Sequence, residues 1–181
     1  MKGFVTNETL REIAGKISDR KAFLEKRASR TDYNTFLSHS SDDDDVLPGV
    51  IFILENHGAV VYTDNGDERL PERTSPETAK ILRSTVRDCR RLVLFVTKNS
   101  KGSCWIPWEL GLGDGMKGAP SVALFPSGDT WFETRWAEEE YLGLYQRIIW
   151  GTFEGKDTEE WMVLDHHKNS AIALGEWLRE G

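Results

Sequence analysis

The chain has 181 residues and is 39% hydrophobic, which predicts one domain with a substantial core, or one domain with a helical extension. Its 30 acidic and 23 basic side chains give a formal net charge of −7, which argues against nucleic acid as the main partner. No apolar run is long enough to cross a bilayer and the two cysteines form no disulfide framework, so we expect a cytoplasmic protein without membrane contact.

Residues 1–30 are predicted to form a helical extension that precedes the main domain, residues 31–181. Apolar side chains recur at close to helical spacing between Asn7 and Leu24, and Thr6 or Asn7 is placed to cap this helix. The segment carries no motif with catalytic chemistry. We expect it to pack against the main domain or to form an oligomer surface.

Beyond residue 31, short segments rich in β-forming residues alternate with helical patterns. The predicted strands cover residues 33–37, 59–62, 91–96, 121–125 and 147–150. The helical patterns begin near Val46, Pro76, Pro107 and Ala171, and the last of them extends to Leu178. Strands that alternate with helices in this way predict an α/β fold with a doubly wound, mostly parallel five-stranded sheet.

The first predicted strand of this sheet ends in Ser38-His39-Ser40-Ser41, and four acids, Asp42–Asp45, follow directly. Small hydroxyl residues at the carboxyl end of a strand form the kind of loop that borders a ligand crevice in α/β proteins. A Mg²⁺ or Ca²⁺ site built from the acids would need a glycine-punctuated loop with alternating ligands, which is absent. We interpret the acids as the cap of the following helix and predict no metal site.

A second feature is the segment in which Trp105 and Trp108 flank Pro107 and precede Glu109. Proline fits best in the first turn of a helix, so Pro107 predicts a helix start with Glu109 in its first turn, where the helix dipole keeps a carboxylate ionised. Glu109 either stabilises its own helix or is presented to a ligand at a strand-to-helix junction. Trp105 either stacks on that ligand or packs in the core.

Three further features are interpreted as structural. The glycines of residues 111–118 weaken a helix interior, so a short or distorted helix is predicted there. Cys104 has no histidine ordered beside it and is interpreted as a buried thiol. The adjacent pair His166 and His167 is interpreted as solvated surface rather than as a metal pair.

Four segments in this order resemble the bacterial Toll/interleukin-1 receptor (TIR) domain family. They are residues 36–42, which resemble its opening strand; 59–64, its second strand and the start of its BB loop; 105–109, the Trp-x-x-x-Glu motif of its NAD-cleaving members; and 141–145, a segment found late in a bacterial subgroup. The resemblance covers roughly residues 33–150. It implies a flavodoxin-like sheet, the TIR fold.

The resemblance also implies an activity: cleavage of NAD⁺ to nicotinamide and ADP-ribose or a cyclic isomer, often in antiphage defence. NAD⁺ is then the substrate, and no cofactor is expected. Glu109 becomes the catalytic carboxylate, with Ser38 and His39 beside the reacting ribose, although the arginines that animal members carry after the first strand are replaced here by serines. The alternative for His39 is a hydrogen-bonded structural residue of its loop. Trp105 becomes a stacking residue.

Asp64 and Arg73 are further substrate-binding candidates, in a polar loop after the second strand, Asp64–Thr74, which also contains Arg69. By resemblance, this loop completes the site of its own protomer or of a neighbour, so self-association through TIR interfaces is expected, together with a separate effector or sensor protein. The alternative is a TIR module without catalysis that acts only as an adaptor or scaffold. The Trp105–Glu109 motif favours the enzyme, since an adaptor has no chemical need for it.

Overall fold

The structure, a computed structural model, describes residues 3–19, 22–23, 30–71, 73, 75–103, 105–130 and 142–180. The strands are β1 (Val5–Thr6), β2 (Thr35–Ser38), β3 (Val61–Tyr62), β4 (Arg91–Val96), β5 (Val122–Gly128), β6 (Gln146–Thr152), β7 (Glu159–Asp165) and β8 (Ser170–Ala173). The main helices are α1 (Asn7–Gly15), α2 (Leu47–Asn56), α3 (Pro76–Asp88), α4 (Trp105–Lys117) and α5 (Leu174–Arg179). No helix in the described ranges combines the length and apolar character that a bilayer-spanning segment needs.

The strands form one eight-stranded sheet in the order β3-β2-β4-β5-β6-β7-β8, with β1 paired to the end of β5. Neighbouring strands from β3 to β6 run parallel. β7 and β8 extend the sheet beyond β6 in antiparallel pairing. The predicted α/β fold with a mostly parallel five-stranded sheet is confirmed at the centre of the sheet, which is wider than predicted.

Helices cover both faces of the sheet because its central strands are apolar on both sides. Successive side chains of a strand point to opposite faces, so Phe36 and Leu94 pack with α3 and α4 while Leu37 and Val93 pack with α1, α2 and α5. All four side chains are essentially buried. This two-sided core makes the fold doubly wound, as predicted. It also determines which helices contact each side chain of β2.

The N-terminal segment is part of this packing. β1 lies parallel to the end of β5, and Leu10 and Ala14 of α1 are fully buried. The helix ends at Gly15, well before the predicted end at Leu24, which lies outside the described residues. The domain boundary at residue 31 stays a prediction.

The C-terminal part differs from its prediction. Ala171 and Ile172, assigned from the sequence to a helix, lie in β8, and the helix that follows begins only at Leu174. No strand was predicted between residues 150 and 171, although β7 lies there and Met162 and Val163 at its centre are buried. A short apolar run between polar residues fits a strand or a helix equally well, so the sequence alone does not separate the two.

Helix α4 begins two residues earlier than predicted and is not interrupted by its glycines. The Ser103 hydroxyl accepts hydrogen bonds from the Trp105 and Ile106 amides at 3.3 and 3.2 Å, which caps the helix ahead of Pro107. Gly113 has a packing reason, since a Cβ at this position would lie 2.6 Å from Leu92 Cδ1 on β4. The predicted short or distorted helix was therefore wrong, and Gly113 lets α4 approach the sheet closely.

Gly49→Ala tests the contact between α1 and α2. An added Cβ would lie 2.4 Å from the backbone oxygen of Leu10, which cannot rotate away as a side chain would. We expect the free energy of unfolding to fall by about 1–3 kcal/mol, measured by urea denaturation. Gly115→Ala is the matched control, because no atom lies within 4 Å of its added Cβ. That helix substitution should raise stability by about 0.5–1 kcal/mol, and equal effects of the two would contradict the close approach.

Candidate active site

The candidate site lies at the edge of the sheet where the parallel strands end. Ser38 is the last residue of β2, Asp64 follows β3, and Thr97 follows β4. The chain then passes from Thr97 through a short 3-10 helix, Lys98–Gly102, into α4, which carries Glu109. Parallel strands bring their carboxyl ends to one edge, which is where open α/β sheets bind ligands.

Ser38 and Glu109 form the centre of this site. The Ser38 hydroxyl donates a hydrogen bond to Glu109 Oε2. Both residues are buried, with 2% and 4% of their surface exposed. The contact exists because Ser38 lies on the same face of β2 as Phe36, the face covered by α4. Two residues 71 positions apart in the sequence, both sequence-predicted site candidates, are thereby brought together.

The ionisation state of Glu109 differs from its prediction. Because α4 starts at Trp105, Glu109 lies past the first turn and gains little from unpaired amides at the helix start. Burial raises the pKa of Glu109 to about 8, with a further increase from the charge of Asp64, while the hydrogen bond from Ser38 opposes the shift. The expectation of a carboxylate held ionised by the helix dipole was wrong. A buried carboxyl with a raised pKa at a sheet edge is nevertheless typical of functional sites.

His39 lies directly after Ser38, and its imidazole is 3% exposed. Its Nδ1 atom is 3.7 Å from Asp64 Oδ1, which is too long for a hydrogen bond, and this buried nitrogen has no hydrogen-bond partner among the described residues. The side chain of Asp64 is 47% exposed. The structure therefore groups His39 and Asp64 beside Ser38 and Glu109 at one end of the sheet.

A buried carboxylate that the sequence interpretation missed connects two loops of the site. Asp43 accepts hydrogen bonds from Thr97 Oγ1, at 2.9 and 2.8 Å to its two oxygens, and from Asn99 Nδ2 at 2.7 Å. Burial raises the pKa of Asp43, while these hydrogen bonds and the nearby His39 lower it. The loop after β2 is thus held against the loop after β4. The sequence did contain a signal for this contact. A polar segment, Thr97-x-Asn99, directly follows the apolar strand β4, as the acids follow β2.

The interpretation of Asp42–Asp45 as the cap of a helix was wrong. Asp43 instead belongs to a short 3-10 helix, Ser41–Asp43, which is capped by the Ser40 hydroxyl. Helix α2 begins later, after Val46, with no side-chain cap and no acid in its first turn. Asp42–Asp45 therefore precede the first turn of α2 and do not interact with the dipole of that helix.

Trp105 is half-buried and packs against the core formed with α3 and α4. Its ring meets that of Trp108 edge to face, with centroids 5.3 Å apart and an interplanar angle of 84°. The guanidinium of Arg83 lies 5.9 Å from the centre of the Trp108 ring. Trp105 therefore has the core packing that the sequence left open, and a stacking role for it stays a prediction.

The loop after β3 contains both predicted arginines. Arg69 pairs with Asp67, with 2.6 Å between Nη2 and Oδ2, and Asp67 also accepts a 2.6 Å hydrogen bond from the Tyr62 hydroxyl. Arg73 is exposed, and no contact in the described part of the chain joins it to Glu109. Arg69 is thus engaged within its own loop, whereas a role for Arg73 requires a ligand or a neighbouring chain.

Metal and thiol chemistry receive no support from the described ranges. These ranges contain no group of three or more His, Cys, Asp or Glu side chains arranged to hold a metal ion. Cys89 is buried, and burial raises the pKa of its thiol to about 12, which keeps it protonated and unreactive. Cys104 lies outside the described residues.

A cavity of about 320 Å³ lies at the opposite edge of the sheet, near the amino ends of β4 and β6. Arg91 in its wall donates a 3.2 Å hydrogen bond to the Pro120 carbonyl and lies 4.5 Å from the centre of the Trp177 ring. Lys168 pairs with Asp165 at 3.0 Å. The cationic groups of this cavity already have partners within the chain, so the carboxyl edge of the sheet is the stronger candidate site.

No protein-family model matches the chain. Among curated proteins, it is similar to one from Bacillus cereus strain MSX-D12 that is described as a probable 3′ cyclic ADP-D-ribose synthase, ThsB′. The two chains are 34% identical over 150 residues, which is 82% of this chain and 76% of that protein. A match of this extent includes most of the sheet and both sides of the candidate site.

The raised pKa of Glu109 predicts a pH-dependent stability. The folded state holds the Glu109 proton more tightly than the unfolded chain, whose glutamate pKa is about 4.3, so the stabilisation is complete below that value and is lost as pH rises through about 8. Relative to wild type, Glu109→Gln should gain about 4 kcal/mol in unfolding free energy between about pH 5 and pH 9, because each of the roughly three pH units between pH 5 and the raised pKa contributes about 1.4 kcal/mol; urea denaturation measures this. Glu12→Gln, at an exposed carboxylate of α1, is the control and should follow wild type. Parallel pH profiles for Glu109→Gln and wild type would contradict the burial of a titrating Glu109.

Proposed function

Because the chain belongs to the bacterial TIR domain family of NAD-cleaving antiphage-defence proteins, we propose that it cleaves NAD⁺ to nicotinamide and ADP-ribose or a cyclic ADP-ribose. The observation that carries the proposal is the buried Ser38–Glu109 pair at the carboxyl edge of the sheet. NAD⁺ acts as the substrate, and the reaction requires no resident cofactor. The product serves as a signal in defence against phage.

The chemistry of NAD⁺ cleavage matches a single well-placed carboxylate. The bond that breaks joins C1 of a ribose to a nicotinamide that is already cationic, so the leaving group departs neutral and needs no general acid. The transition state resembles the oxocarbenium ion of glycoside hydrolysis. A carboxylate beside that carbon stabilises the developing positive charge, and we assign this role to Glu109.

This role requires an ionised Glu109, whereas burial raises its pKa to about 8. A cationic nicotinamide ring that enters the site favours the ionised carboxylate, because an opposite charge nearby lowers the pKa of an acid. The hydrogen bond from Ser38 acts in the same direction and fixes the orientation of the carboxylate. Substrate binding and the ionisation of Glu109 are therefore linked, and a neutral Glu109 before substrate binding avoids a buried, unpaired charge.

The other candidates take supporting roles in this proposal. Ser38 and His39 border the ribose that is attacked, and Asp64 contacts its hydroxyl groups from the loop after β3. The exposed indole surface of Trp105 offers a ring on which nicotinamide or adenine stacks. Arg73 meets the pyrophosphate, since a guanidinium binds phosphate oxygens in pairs.

We further propose that the active form is an assembly of several chains. Arg73 is exposed, and no contact within the described part of one chain joins it to Ser38, Glu109, His39 or Asp64. A neighbouring protomer that supplies Arg73 would complete the site in trans. A separate effector that responds to the product, or a sensor that triggers assembly, fits the same scheme.

The Glu109→Gln variant tests the catalytic carboxylate. Glutamine keeps the size of the side chain and accepts the Ser38 hydrogen bond but removes the charge. We expect nicotinamide release from NAD⁺, measured by liquid chromatography at about pH 8, to fall at least about 10²–10³-fold. The Glu12→Gln control should retain the wild-type rate.

Turnover by Glu109→Gln within a few-fold of wild type, with an unchanged circular dichroism spectrum, would remove Glu109 from the catalytic role. Wild-type protein that releases no nicotinamide at high concentration, even with a crowding agent, would support the adaptor alternative.

Dilution of the protein tests whether the active site is shared between protomers. If Arg73 acts in trans, the specific activity of the wild type should rise with protein concentration, because the complete site exists only in the assembly. Arg73→Glu should lower activity at every concentration, whereas Arg87→Glu, the same charge change at an exposed position near the end of α3, should not. A specific activity that stays flat across the dilution series would show that each protomer is complete by itself.

A further inference from the structure

The Nδ1 atom of His39 is a buried polar group without a hydrogen-bond partner in the described part of the chain. Nearly all buried polar groups in proteins are paired, and leaving one unpaired destabilises the fold. Its nearest charged group, Asp64 Oδ1, is 3.7 Å away and only half-buried. A buried nitrogen without a partner is typical of a site where a polar atom of a ligand supplies the missing hydrogen bond.

His39 and Glu109 lie on different sides of the end of β2. Ser38 points to the face covered by α4, where it meets Glu109, whereas the imidazole of His39 is near Asp43 and Asp64. Asp64 also influences Glu109 electrostatically, so the two sides of the strand end are close neighbours. A dinucleotide bent over this strand end can place the reacting ribose at Glu109 and beside His39, with a hydroxyl group of the second ribose at His39 Nδ1.

We propose that His39 Nδ1 accepts the proton of a hydroxyl group on the second ribose of NAD⁺ as that hydroxyl closes a cyclic product. The inference rests on the proposed function and assigns a residue to its cyclisation step. In that step, the bond between ribose C1 and the nicotinamide nitrogen breaks, and its electron pair leaves with neutral nicotinamide. The hydroxyl oxygen of the second ribose forms a new bond to the same carbon. Its proton moves to His39 and then, past the half-exposed Asp64, to solvent.

The surroundings of His39 suit this transfer. The carboxyl groups of Asp43 and Asp64 lie near the ring, and their negative charge attracts the imidazolium that forms. Asp43 is held in place by Thr97 and Asn99, so its position is fixed before the reaction begins. The ring is 3% exposed, so water competes poorly with a ribose hydroxyl for Nδ1. Hydrolysis to linear ADP-ribose also releases a proton, but the attacking water passes that proton directly to solvent, so hydrolysis does not depend on His39.

The test compares products rather than total turnover. Wild type, His39→Gln and His39→Asn are incubated with NAD⁺, and nicotinamide, linear ADP-ribose and cyclic ADP-ribose are separated and quantified. Neither amide takes up a proton, so the amount of cyclic product per nicotinamide released should fall about tenfold or more. A purely structural role would lower both quantities in proportion. His166→Gln, in the turn between β7 and β8 at the opposite edge of the sheet, is the matched control and should keep the wild-type ratio.

Asp64→Asn provides a second measurement if the His39 variants do not fold, since Asp64 is half-exposed and contributes little to the core. Its ratio of cyclic product to nicotinamide should fall as well, because a charge that attracts the imidazolium is lost. An unchanged ratio in the folded variants, or wild-type protein that makes only linear ADP-ribose, would overturn the role of His39. Wild-type protein that releases no nicotinamide would instead overturn the proposed function.

Discussion

The burial of one carboxyl group, Glu109, is the constraint on which the rest of the site depends. A carboxylate removed from water without a compensating charge is costly, and the only hydrogen bond described for it comes from Ser38. The strand that supplies Ser38 and the helix that supplies Glu109 must therefore meet in one register. The apolar face of β2, the close approach allowed by Gly113 and the Ser103 cap all hold α4 in that register.

The proposed site is acidic, whereas the proposed substrate carries phosphates. The carboxyl groups of Asp43, Asp64 and Glu109 surround the end of β2, and the site therefore favours the cationic end of a molecule. Basic groups, Arg69 and the exposed Arg73, lie on the loop after β3. A substrate with a positive ring at one end and negative phosphates at the other fits a site that offers both kinds of charge, and a simple nucleotide without the ring does not.

The sequence predicted correctly the features that follow from local composition. It was misleading where contacts between distant segments determine the structure. The central strands were located because each is a continuous apolar run, such as Arg91–Val96. The segment around Pro107 predicted that Glu109 lies at a strand-to-helix junction, and its carboxyl group does lie at the end of β2, beside Ser38. The protonation state of Glu109 was not predictable, because its burial against β2 depends on a contact between distant segments that no local sequence pattern indicates. For the same reason the role of Asp43 was missed, since its partners Thr97 and Asn99 follow a different strand.

The hydrogen bonds of Asp43 have a consequence for how this protein diverges from its relatives. A buried carboxylate whose donors come from another loop cannot be replaced alone without leaving those donors unpaired, so a single substitution at Asp43, Thr97 or Asn99 is selected against. Replacements that survive should therefore occur together. In an alignment of related chains, we expect these three positions to covary although more than fifty residues separate the first from the other two. Such covariation would identify the contact between the two loops in related sequences for which no structure is known.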